Sequence, residues 1–482
     1  MITKDNYSKD VIQKGDQGSD LLRAITVATL IDHNLVEIVG ETDQLPILRF
    51  PEPQDLVVHS TVGNGRTPKQ KANNLIYALI EQASYVGAKV VAISDIIDSR
   101  KGDKAMLREV AEELRDIALE KKIAILNGEN AILGDVVKGD MNISGTAISL
   151  PRDSITEGAF EKYGNVYASF NTRGKAVHVN SDGPGTKTEL YIRLGDWRGC
   201  VDDVLAMCLD DTIKNGATAE VFSSVLEVSR RSPTNEIGVK NAIFRRAQSM
   251  GIRGICQGAK GELQTYTSHK AAFNLGSTVV STIDEERLNN PLIPRPGDYV
   301  IAIQGHPNSR ANAISTRRRL MTELFGKHWH LRREGKIFLD YLSTPSTVLY
   351  PVFKQLVDNG LASGVFHMSG GAYNGKFAKP LAKHNLFARL SNLHEPDWRE
   401  VTLAAYLGSN REAYGQFAMG NDGFATTNNP ERSIRMIEEH RGLTAEKVGR
   451  IQEATEKRSG VLIQTYNGRQ VYFSGREKAE AA

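Results

Sequence analysis

The segment Ser181–Lys187, which reads SDGPGTK, places an acid, two glycines and a lysine within seven residues. Glycine lets backbone N–H groups approach phosphate oxygens closely, because no Cβ intervenes. A lysine supplies a positive charge, and an aspartate can hold a magnesium ion that bridges phosphates. A tight turn is the alternative interpretation of such a loop. We expect a phosphate site, with the binding residues Asp182, Gly183, Gly185, Thr186 and Lys187.

A pair of acids follows this loop on the next predicted helix, VDDVLAMCLDDTIKN. Asp210 and Asp211 would add hard oxygen ligands of the kind that Mg²⁺ prefers. The loop, its lysine and the downstream acids together favour phosphate binding over a plain turn. We assign Asp182 and Asp211 as metal ligands and Lys187 as a catalytic residue.

A second loop of the same kind, HSTVGNGRT (59–67), lies about 120 residues earlier and lacks the acid. The order of elements around it is repeated: an apolar strand, a glycine loop, a helix, Gly-Ala, a buried strand and another helix. Strands that alternate with amphipathic helices, without a GxGxxG after the first strand, predict an α+β sheet covered by helices on one face. Two such sheets could close against each other and bury their open faces. Coincidence of element order is the alternative.

The two repeats have lost acids in complementary places. Thr61 stands where the second repeat has Asp182, and Gln82 stands where it has Asp211. In return, the first repeat keeps Asp95, where the second has Ser224. It also keeps Glu129 in the turn NGENA, where the second has Ala259. This pattern predicts one composite site, in which Asp95 joins the metal ligands and Glu129 joins the nucleotide ligands. Alternatively, Asp95 and Glu129 only cap local turns.

The composition describes a globular chain of 482 residues, 40% hydrophobic and 24% charged, with a net charge of +3. Such a balance gives no electrostatic case for nucleic acid or membrane partners. Three cysteines without CxxC spacing suggest buried thiols in a reducing compartment, so we expect a cytoplasmic protein. The basic run Arg317–Arg319 is interpreted as a solvated helix face.

The motifs SDGPGTKTELYI, RPGDYVIAIQG, FHMSGGAYNGKFAKPL and FAMGNDGF resemble those of aminoimidazole ribonucleotide (AIR) synthetase, the phosphoribosylformylglycinamidine cyclo-ligase family. The resemblance covers most of residues 160–475 and is weaker elsewhere. It implies two PurM N-terminal-like α/β domains that pair in one chain, followed by one PurM C-terminal-like domain. We expect the domains at 1–157, 158–290 and 291–482.

The resemblance also implies ATP and Mg²⁺ as cofactors and a small phosphoribosyl compound as substrate. The reaction would convert formylglycinamidine ribonucleotide to aminoimidazole ribonucleotide, with release of ADP and phosphate. Family members usually pair the N-terminal domains of two subunits. Here either a homodimer forms or the internal duplication replaces it.

The third domain departs from the family at several positions. GHPNSRANA (305–313) stands where the family has a GPHSNG-like turn, in a shifted register and with Arg310-Ala311 in place of Asn-Gly. His306 or Asn308 would fill the catalytic role. TPSTVLY lacks the arginine of the family's PTRxY turn, and Ala418 replaces an asparagine. His367, Ser369, Gly370 and Gly371 would form a turn able to take a substrate phosphate. Another ATP-dependent kinase or synthetase of the superfamily, or a non-catalytic nucleotide-binding relative, remains an alternative.

Overall fold

A computed structural model describes residues 7–30, 37–42, 45–134, 136–153, 166–261, 263, 271–455 and 458–476. Contacts between residues divide the chain into two compact units. Unit 1 contains Met1–Val204 and Ala217–Asn289, and unit 2 contains Leu205–Gly216 and Asn290–Ala482. The mixture of helices and mixed sheets confirms the predicted α+β class. Within the described residues, the model has no helix long and apolar enough to cross a membrane.

Unit 1 contains two six-stranded sheets and the helices that cover them. Its helices are α1 (Tyr7–Thr26), α2 (Pro68–Tyr85), α3 (Lys104–Lys121), α4 (Thr188–Leu194), α6 (Pro233–Ser249) and α7 (Glu285–Asn289), with 3₁₀ turns at Val27–Leu30 and Gly185–Lys187. Helix α5 (Cys200–Ile213) begins in unit 1 and continues in unit 2 after Val204. Its strands are β1 (Glu37–Thr42), β2 (Leu45–Arg49), β3 (Asp55–Val62), β4 (Ala88–Ser99), β5 (Ala124–Ile125), β6 (Glu129–Ile132), β7 (Met141–Pro151), β8 (Tyr167–Asn171), β9 (Ala176–Asp182), β10 (Thr218–Val228), β11 (Arg253–Lys260) and β12 (Phe273–Ile283).

The two sheets of unit 1 have the same strand order. The first-repeat sheet runs β5-β4-β7-β3-β8, with β6 as a sixth strand that also pairs with β4, and the second runs β1-β2-β9-β12-β10-β11. When β3, β7, β4 and β5 are matched to β9, β12, β10 and β11, the parallel and antiparallel pairings also agree. The common topology is what an internal duplication predicts.

Each repeat contributes a strand to the sheet of the other. Strand β2, at the start of the first repeat, pairs with β9 of the second. Strand β8, at the start of the second repeat, pairs with β3 of the first and forms the edge of that sheet. Between the sheets lies a core of buried residues from both, among them Val58, Ile148, Val179 and Val280. The open apolar faces of the two sheets are therefore buried against each other.

Hydroxyl groups in this core repeat the same relationship. Ser60 bonds to Thr146 at 2.7 Å within the first sheet and to Ser223 of the second sheet. The corresponding residue of the second repeat, Ser181, bonds to Thr278 at 2.7 Å and to Ser94 of the first sheet at 2.8 Å. Each triplet therefore has two members in one sheet and one in the other, and matching the first repeat to the second turns one triplet into the other.

Helices α2 and α3 cover the outer face of the first sheet because their apolar residues recur at three- and four-residue spacing. Leu75 and Leu79 of α2 and Val110 and Leu114 of α3 are buried in one cluster with the strands. Thr67 caps α2 by accepting from the backbone N–H of Gln70. Helices thus lie on one face of this sheet, as predicted.

Unit 2 contains a seven-stranded sheet in the order β14-β16-β13-β17-β15-β18-β19. Its strands are β13 (Tyr299–Gln304), β14 (Gly364–His367), β15 (Leu386–Leu390), β16 (Gly423–Thr427), β17 (Thr444–Glu453), β18 (Gly460–Gln464) and β19 (Gln470–Phe473). Its other elements are α8 (Ile314–Phe325), a 3₁₀ turn (Trp329–Leu331), α9 (Arg333–Leu342), α10 (Tyr350–Asp358), a π-helical segment (Tyr373–Ala378), α11 (Lys379–Lys383), α12 (Trp398–Ala405), α13 (Asn410–Gln416) and α14 (Pro430–Glu438).

Candidate functional site

The glycine loop of the second repeat is open. Asp182 ends β9, and its Oδ1 accepts from the backbone N–H of Gly183 at 2.6 Å. Gly185 has φ +57°, a conformation that favours glycine. Apart from its two chain neighbours, no described residue has an atom within 4 Å of the position that a Cβ would occupy. Asp182, Gly183, Gly185 and Thr186 are all partly exposed. The loop thus leaves space for a ligand beside its backbone.

The corresponding loop of the first repeat is closed by its own helix. A Cβ on Gly63 would lie 2.0 Å from the carbonyl oxygen of Lys71, and one on Gly65 would lie 2.8 Å from the Lys71 nitrogen. The glycines here permit a close approach between loop and helix α2. Of the two loops, the second is therefore the one shaped to accept a phosphate.

Lys187 lies at the end of the open loop but points into the protein. Its Nζ donates to Asp203 Oδ1 at 2.8 Å, and both side chains are fully buried. Tyr191 donates to the other oxygen of Asp203. Burial, followed by the Asp203 charge, raises the pKa of Tyr191 well above its usual value. The pair ties the loop to helix α5, and a direct catalytic contact by Lys187 stays a prediction.

The strand registers argue against a shared metal site for Asp95 and Asp182. Asp95 lies opposite Gly145, and Gly145 lies opposite Thr61, so these residues share one face of the first sheet. Thr61 accepts from Gln82 of helix α2, which identifies this face as the outer one. Asp182, one residue after the inward Ser181, faces outward from the other sheet. The two acids therefore lie on opposite outer faces of the sandwich.

Asp95 is nevertheless unusual, because it is buried and its Oδ1 has no hydrogen-bond partner among the described residues. Burial raises its pKa to about 6. No group of three or more Asp, Glu, His or Cys side chains in the described part of the chain is arranged to hold a metal ion. The strand registers separate Asp95 from Asp182 within unit 1, and the assignment of Asp211, which lies in unit 2, as a metal ligand stays a prediction.

Glu129 begins β6 and lies beside Ile96 of β4. The preceding residue explains how its turn reaches the second repeat. A Cβ on Gly128 would lie 1.9 Å from the Asp95 carbonyl oxygen and 3.0 Å from the Ser181 Cβ. The NGEN turn therefore contacts the residue next to Asp182, and the contribution of Glu129 to the nucleotide site stays a prediction.

In unit 2, Asp211 lies beside two lysines and a histidine. It lies 2.8 Å from Lys214, 3.0 Å from Lys376 and 3.0 Å from His367 Nε2. Although burial alone would raise its pKa, these neighbours hold the pKa of Asp211 well below its usual value. Burial lowers the pKa of His367 to about 4. Ser369 contacts the same His367 nitrogen at 3.2 Å, so the predicted SGG turn adjoins this cluster.

Asp210 is also in unit 2 and is fully buried against Arg310. The Asp210 carboxylate accepts from Arg310 at 3.2 Å and from the Leu349 backbone at 2.9 Å. Burial raises the pKa of Asp210 to about 7, although the Arg310 charge opposes this rise. Arg310 also lies 3.4 Å from Asp422. An ion-paired arginine thus occupies the position where the family turn has asparagine.

The two catalytic candidates of the third domain differ in placement. His306 is exposed, and its Nε2 lies 2.9 Å from the Pro345 carbonyl oxygen. Asn308 is buried, donates to Asp422 at 3.1 Å and accepts from the Arg310 backbone at 2.6 Å. His306 is accessible to a substrate, whereas Asn308 holds its own loop in place.

Sequence reasoning overlooked four charged groups near these sites. Lys376 lies in the quoted motif FHMSGGAYNGKF, in which only the small-residue turn and His367 were assigned a role. Asp203 lies in the helix VDDVLAMCLDD, in which only Asp210 and Asp211 were assigned a role. The other two also lie in quoted segments, Asp422 in FAMGNDGF and Lys214 near the end of VDDVLAMCLDDTIKN. The four residues are Asp203, Lys214, Lys376 and Asp422.

Comparison with known proteins agrees with an α+β fold of the PurM-like type. The family model described as "AIR synthase related protein, N-terminal domain" matches residues 46–150. This range is the first repeat, although the motifs suggested a stronger resemblance after residue 160. Together with the curated relatives below, this match supports a place for the chain in the PurM-like superfamily.

The chain is similar to the phosphoribosylformylglycinamidine cyclo-ligase of Thermococcus kodakarensis, with 23% identity over 40% of this chain and 56% of the relative. It is also 22% identical to the enzyme of that name from Thermoanaerobacter pseudethanolicus, over 65% of this chain and 94% of the relative. The chain matches little more than half the length of the first of these relatives.

Among solved structures, Thermotoga maritima PurL complexed with FGAR aligns with a TM-score of 0.40 and 13% identity, covering 64% of this chain and 48% of that one. Thiamine monophosphate kinase from Aquifex aeolicus aligns with a TM-score of 0.38 and 14% identity, covering 62% of this chain and 90% of that one. These likenesses are weak, and the superfamily assignment rests on the sequence matches.

Proposed function

We propose that the chain is an ATP-dependent phosphoribosylformylglycinamidine cyclo-ligase. The observation that carries the proposal is the open glycine loop of the second repeat, with Asp182 at its start, in a chain whose curated relatives have that name. The first-repeat loop is closed by Lys71, which supports one nucleotide per chain rather than two.

The reaction would use ATP to turn an amide oxygen into a leaving group. The substrate's formamide oxygen attacks the γ-phosphorus, and the bond from that phosphorus to the β,γ-bridging oxygen breaks and yields ADP. An internal amidine nitrogen then attacks the activated carbon, phosphate leaves, and the loss of a proton completes the imidazole ring. Backbone N–H groups at Gly183 and Gly185 would bind the phosphates, so positioning and charge neutralisation supply most of the catalysis.

Mg²⁺ would neutralise phosphate charge in this scheme. Asp182 has the oxygen chemistry to hold the ion, and it is partly exposed at the loop. Asp211 lies in unit 2 and already contacts Lys214, Lys376 and His367, so in the described structure its charge is compensated by protein groups. We therefore give Asp182 the principal role toward the metal.

A specific observation favours a second candidate, another ATP-dependent kinase or synthetase of the superfamily. Arg310 stands where the family turn has asparagine, and its ion pairs with Asp210 and Asp422 are buried. A changed substrate domain with a retained phosphate loop is the pattern expected when the acceptor differs.

The test is ADP release by the purified chain with Mg²⁺-ATP, with and without formylglycinamidine ribonucleotide, combined with detection of the imidazole product. Cyclisation predicts ADP and imidazole in equal amounts, both lost in Asp182→Asn. A matched control is Asp196→Asn, which removes a surface acid paired with Arg198. Hydrolysis that depends on another metabolite would support the second candidate. A chain that binds ATP without turnover would be a non-catalytic relative.

A further inference from the structure

A different pair of acids lies between the sheets of the two repeats, at the interface that we call the seam. Asp98 of β4 and Glu227 of β10 are both buried, at 7% and 5% exposure. The amide Nδ2 of Asn274 lies 2.5 Å from Asp98 Oδ2 and 3.5 Å from Glu227 Oε2. Both acids lie four residues after the inward-facing Ser94 and Ser223, so they point into the space between the sheets.

Asp98 and Glu227 occupy equivalent positions in the two repeats, as do the members of the two hydroxyl triplets. Asp98 lies directly opposite Asn142 in the β4–β7 register, and Glu227 lies opposite Asn274 in the β10–β12 register. Each repeat thus contributes one carboxylate and one asparagine to the same place. The acids and amides come from four strands of two sheets, which fixes their positions firmly.

The cluster has an unpaired member. Asn142 is 6% exposed, and its Nδ2 has no hydrogen-bond partner among the described residues. Because Asn142 lies opposite Asp98 on the same face of the sheet, its amide can turn by half a turn and place its oxygen where Nδ2 lies, without breaking a hydrogen bond of Nδ2. Asn274 engages only one oxygen of each carboxylate, which leaves Asp98 Oδ1 and Glu227 Oε1 for a further partner.

Within the described residues, neither Asp98 nor Glu227 forms an ion pair. The charge of Lys71 lowers the pKa of Glu227, and its Nζ donates to the Met141 carbonyl oxygen at 2.7 Å. Buried carboxylates without a paired cation are costly, so such a pair takes up a proton or a metal ion. Burial and the Asp98 charge raise the pKa of Glu227 to about 8.

We propose that Asp98 and Glu227, with the Asn142 amide oxygen, form a divalent-cation site between the two repeats. Two carboxylates and an amide oxygen, completed by water, suit Mg²⁺ or Ca²⁺. The site is separate from the glycine loop and does not depend on the proposed function, because Asp98 and Glu227 face inward whereas Asp182 faces outward. The cation would link the sheets and stabilise the duplicated unit.

Calorimetric titration of the metal-free, nucleotide-free chain with CaCl₂ and with MgCl₂ tests this site. The expected result is binding of one ion with release of about one proton at pH 7, seen as heat that varies with the ionisation enthalpy of the buffer. Loss of groups beyond the direct ligands already weakens metal sites about 10- to 100-fold, so Asp98→Asn and Glu227→Gln should each weaken binding at least about tenfold.

Asp196→Asn is the matched control and should retain this affinity, because Asp196 is a surface acid paired with Arg198 and lies outside both acidic sites. The melting temperature should rise with the ion in wild-type protein and in Asp196→Asn, but not in Glu227→Gln. Wild-type affinity in both seam variants would overturn the proposal, and so would the absence of any ion-dependent heat or melting shift. In the latter case the carboxyl pair holds a proton instead.

Discussion

The hydroxyl of Ser94 in the first repeat lies 2.8 Å from that of Ser181 in the second, and the exchange of repeats relates this contact to the one between Ser60 and Ser223. The four side chains are buried between the sheets. Alternation of side chains along the strands then decides which acids can meet. Asp98 and Glu227 face the seam, while Asp95 and Asp182 face away from it.

We expect Ser94→Ala and Ser60→Ala to destabilise unit 1 by similar amounts, about 1–3 kcal/mol each, because each leaves buried hydroxyl partners unsatisfied. Urea unfolding measures the change. Ser94→Ala combined with Ser181→Ala should cost less than the sum of the single changes. Additive costs would show that the two hydroxyls do not depend on each other.

Replacing either member of the buried ion pair between Lys187 and Asp203 should lower the free energy of unfolding. Lys187→Met or Asp203→Leu leaves one charge buried without its partner, and we expect a loss of about 3–5 kcal/mol in the free energy of unfolding. The double change should recover much of this loss. A Lys187→Met protein that keeps wild-type stability but loses ATP turnover would instead support the direct catalytic role.

Asp182→Asn should lower ATP turnover strongly and leave the melting temperature nearly unchanged, because Asp182 is partly exposed and lies at the loop rather than in the core. Removal of a metal-ligand charge costs several kcal/mol of transition-state stabilisation. Steady-state assays at saturating Mg²⁺ measure the effect beside the Asp196→Asn control. Undiminished turnover would remove Asp182 from the metal assignment.

The raised pKa of Glu227 should be visible in how the free energy of unfolding depends on pH in metal-free buffer. Its folded-state pKa of about 8 is above that of an unfolded glutamate. The folded state therefore holds the proton to higher pH, and stability declines as pH rises from about 4.5 to about 8. One such proton gives a slope of up to about 1.4 kcal/mol per pH unit. Glu227→Gln should remove this part of the slope, and identical profiles for the two proteins would exclude a raised Glu227 pKa.

Much of the fold could be predicted from local pattern. Apolar periodicity and repeated glycines gave the α+β class, the order of elements and the closure of one sheet on another. The exchange of β2 and β8 was not predictable in this way, because strand partners are set by contacts distant in sequence. Arg317 shows the same limit. It lies in a basic run expected to be solvated, yet it is buried and bonds to Glu400 at 2.9 Å.

Only part of the candidate site could be predicted, because the register of the strands is also set by contacts distant in sequence. The motif identified the loop from Asp182 to Gly185, and the structure leaves that loop open. Residue type alone does not tell which face of a strand a side chain occupies, so complementary loss of acids pointed to Asp95. A shift of three residues along β4, to Asp98, selects the face that meets the other repeat.

The most direct test of the account is the stoichiometry of nucleotide binding, measured by calorimetry with a non-hydrolysable ATP analogue and Mg²⁺. The account predicts one site per chain, weakened in Asp182→Asn and also in Glu129→Gln, because the NGEN turn contacts the residue beside Asp182. Gly63→Ala, in the closed first loop, should leave the affinity of folded protein unchanged. Two equivalent sites per chain, or wild-type affinity in Asp182→Asn, would contradict a single phosphate site in the second repeat.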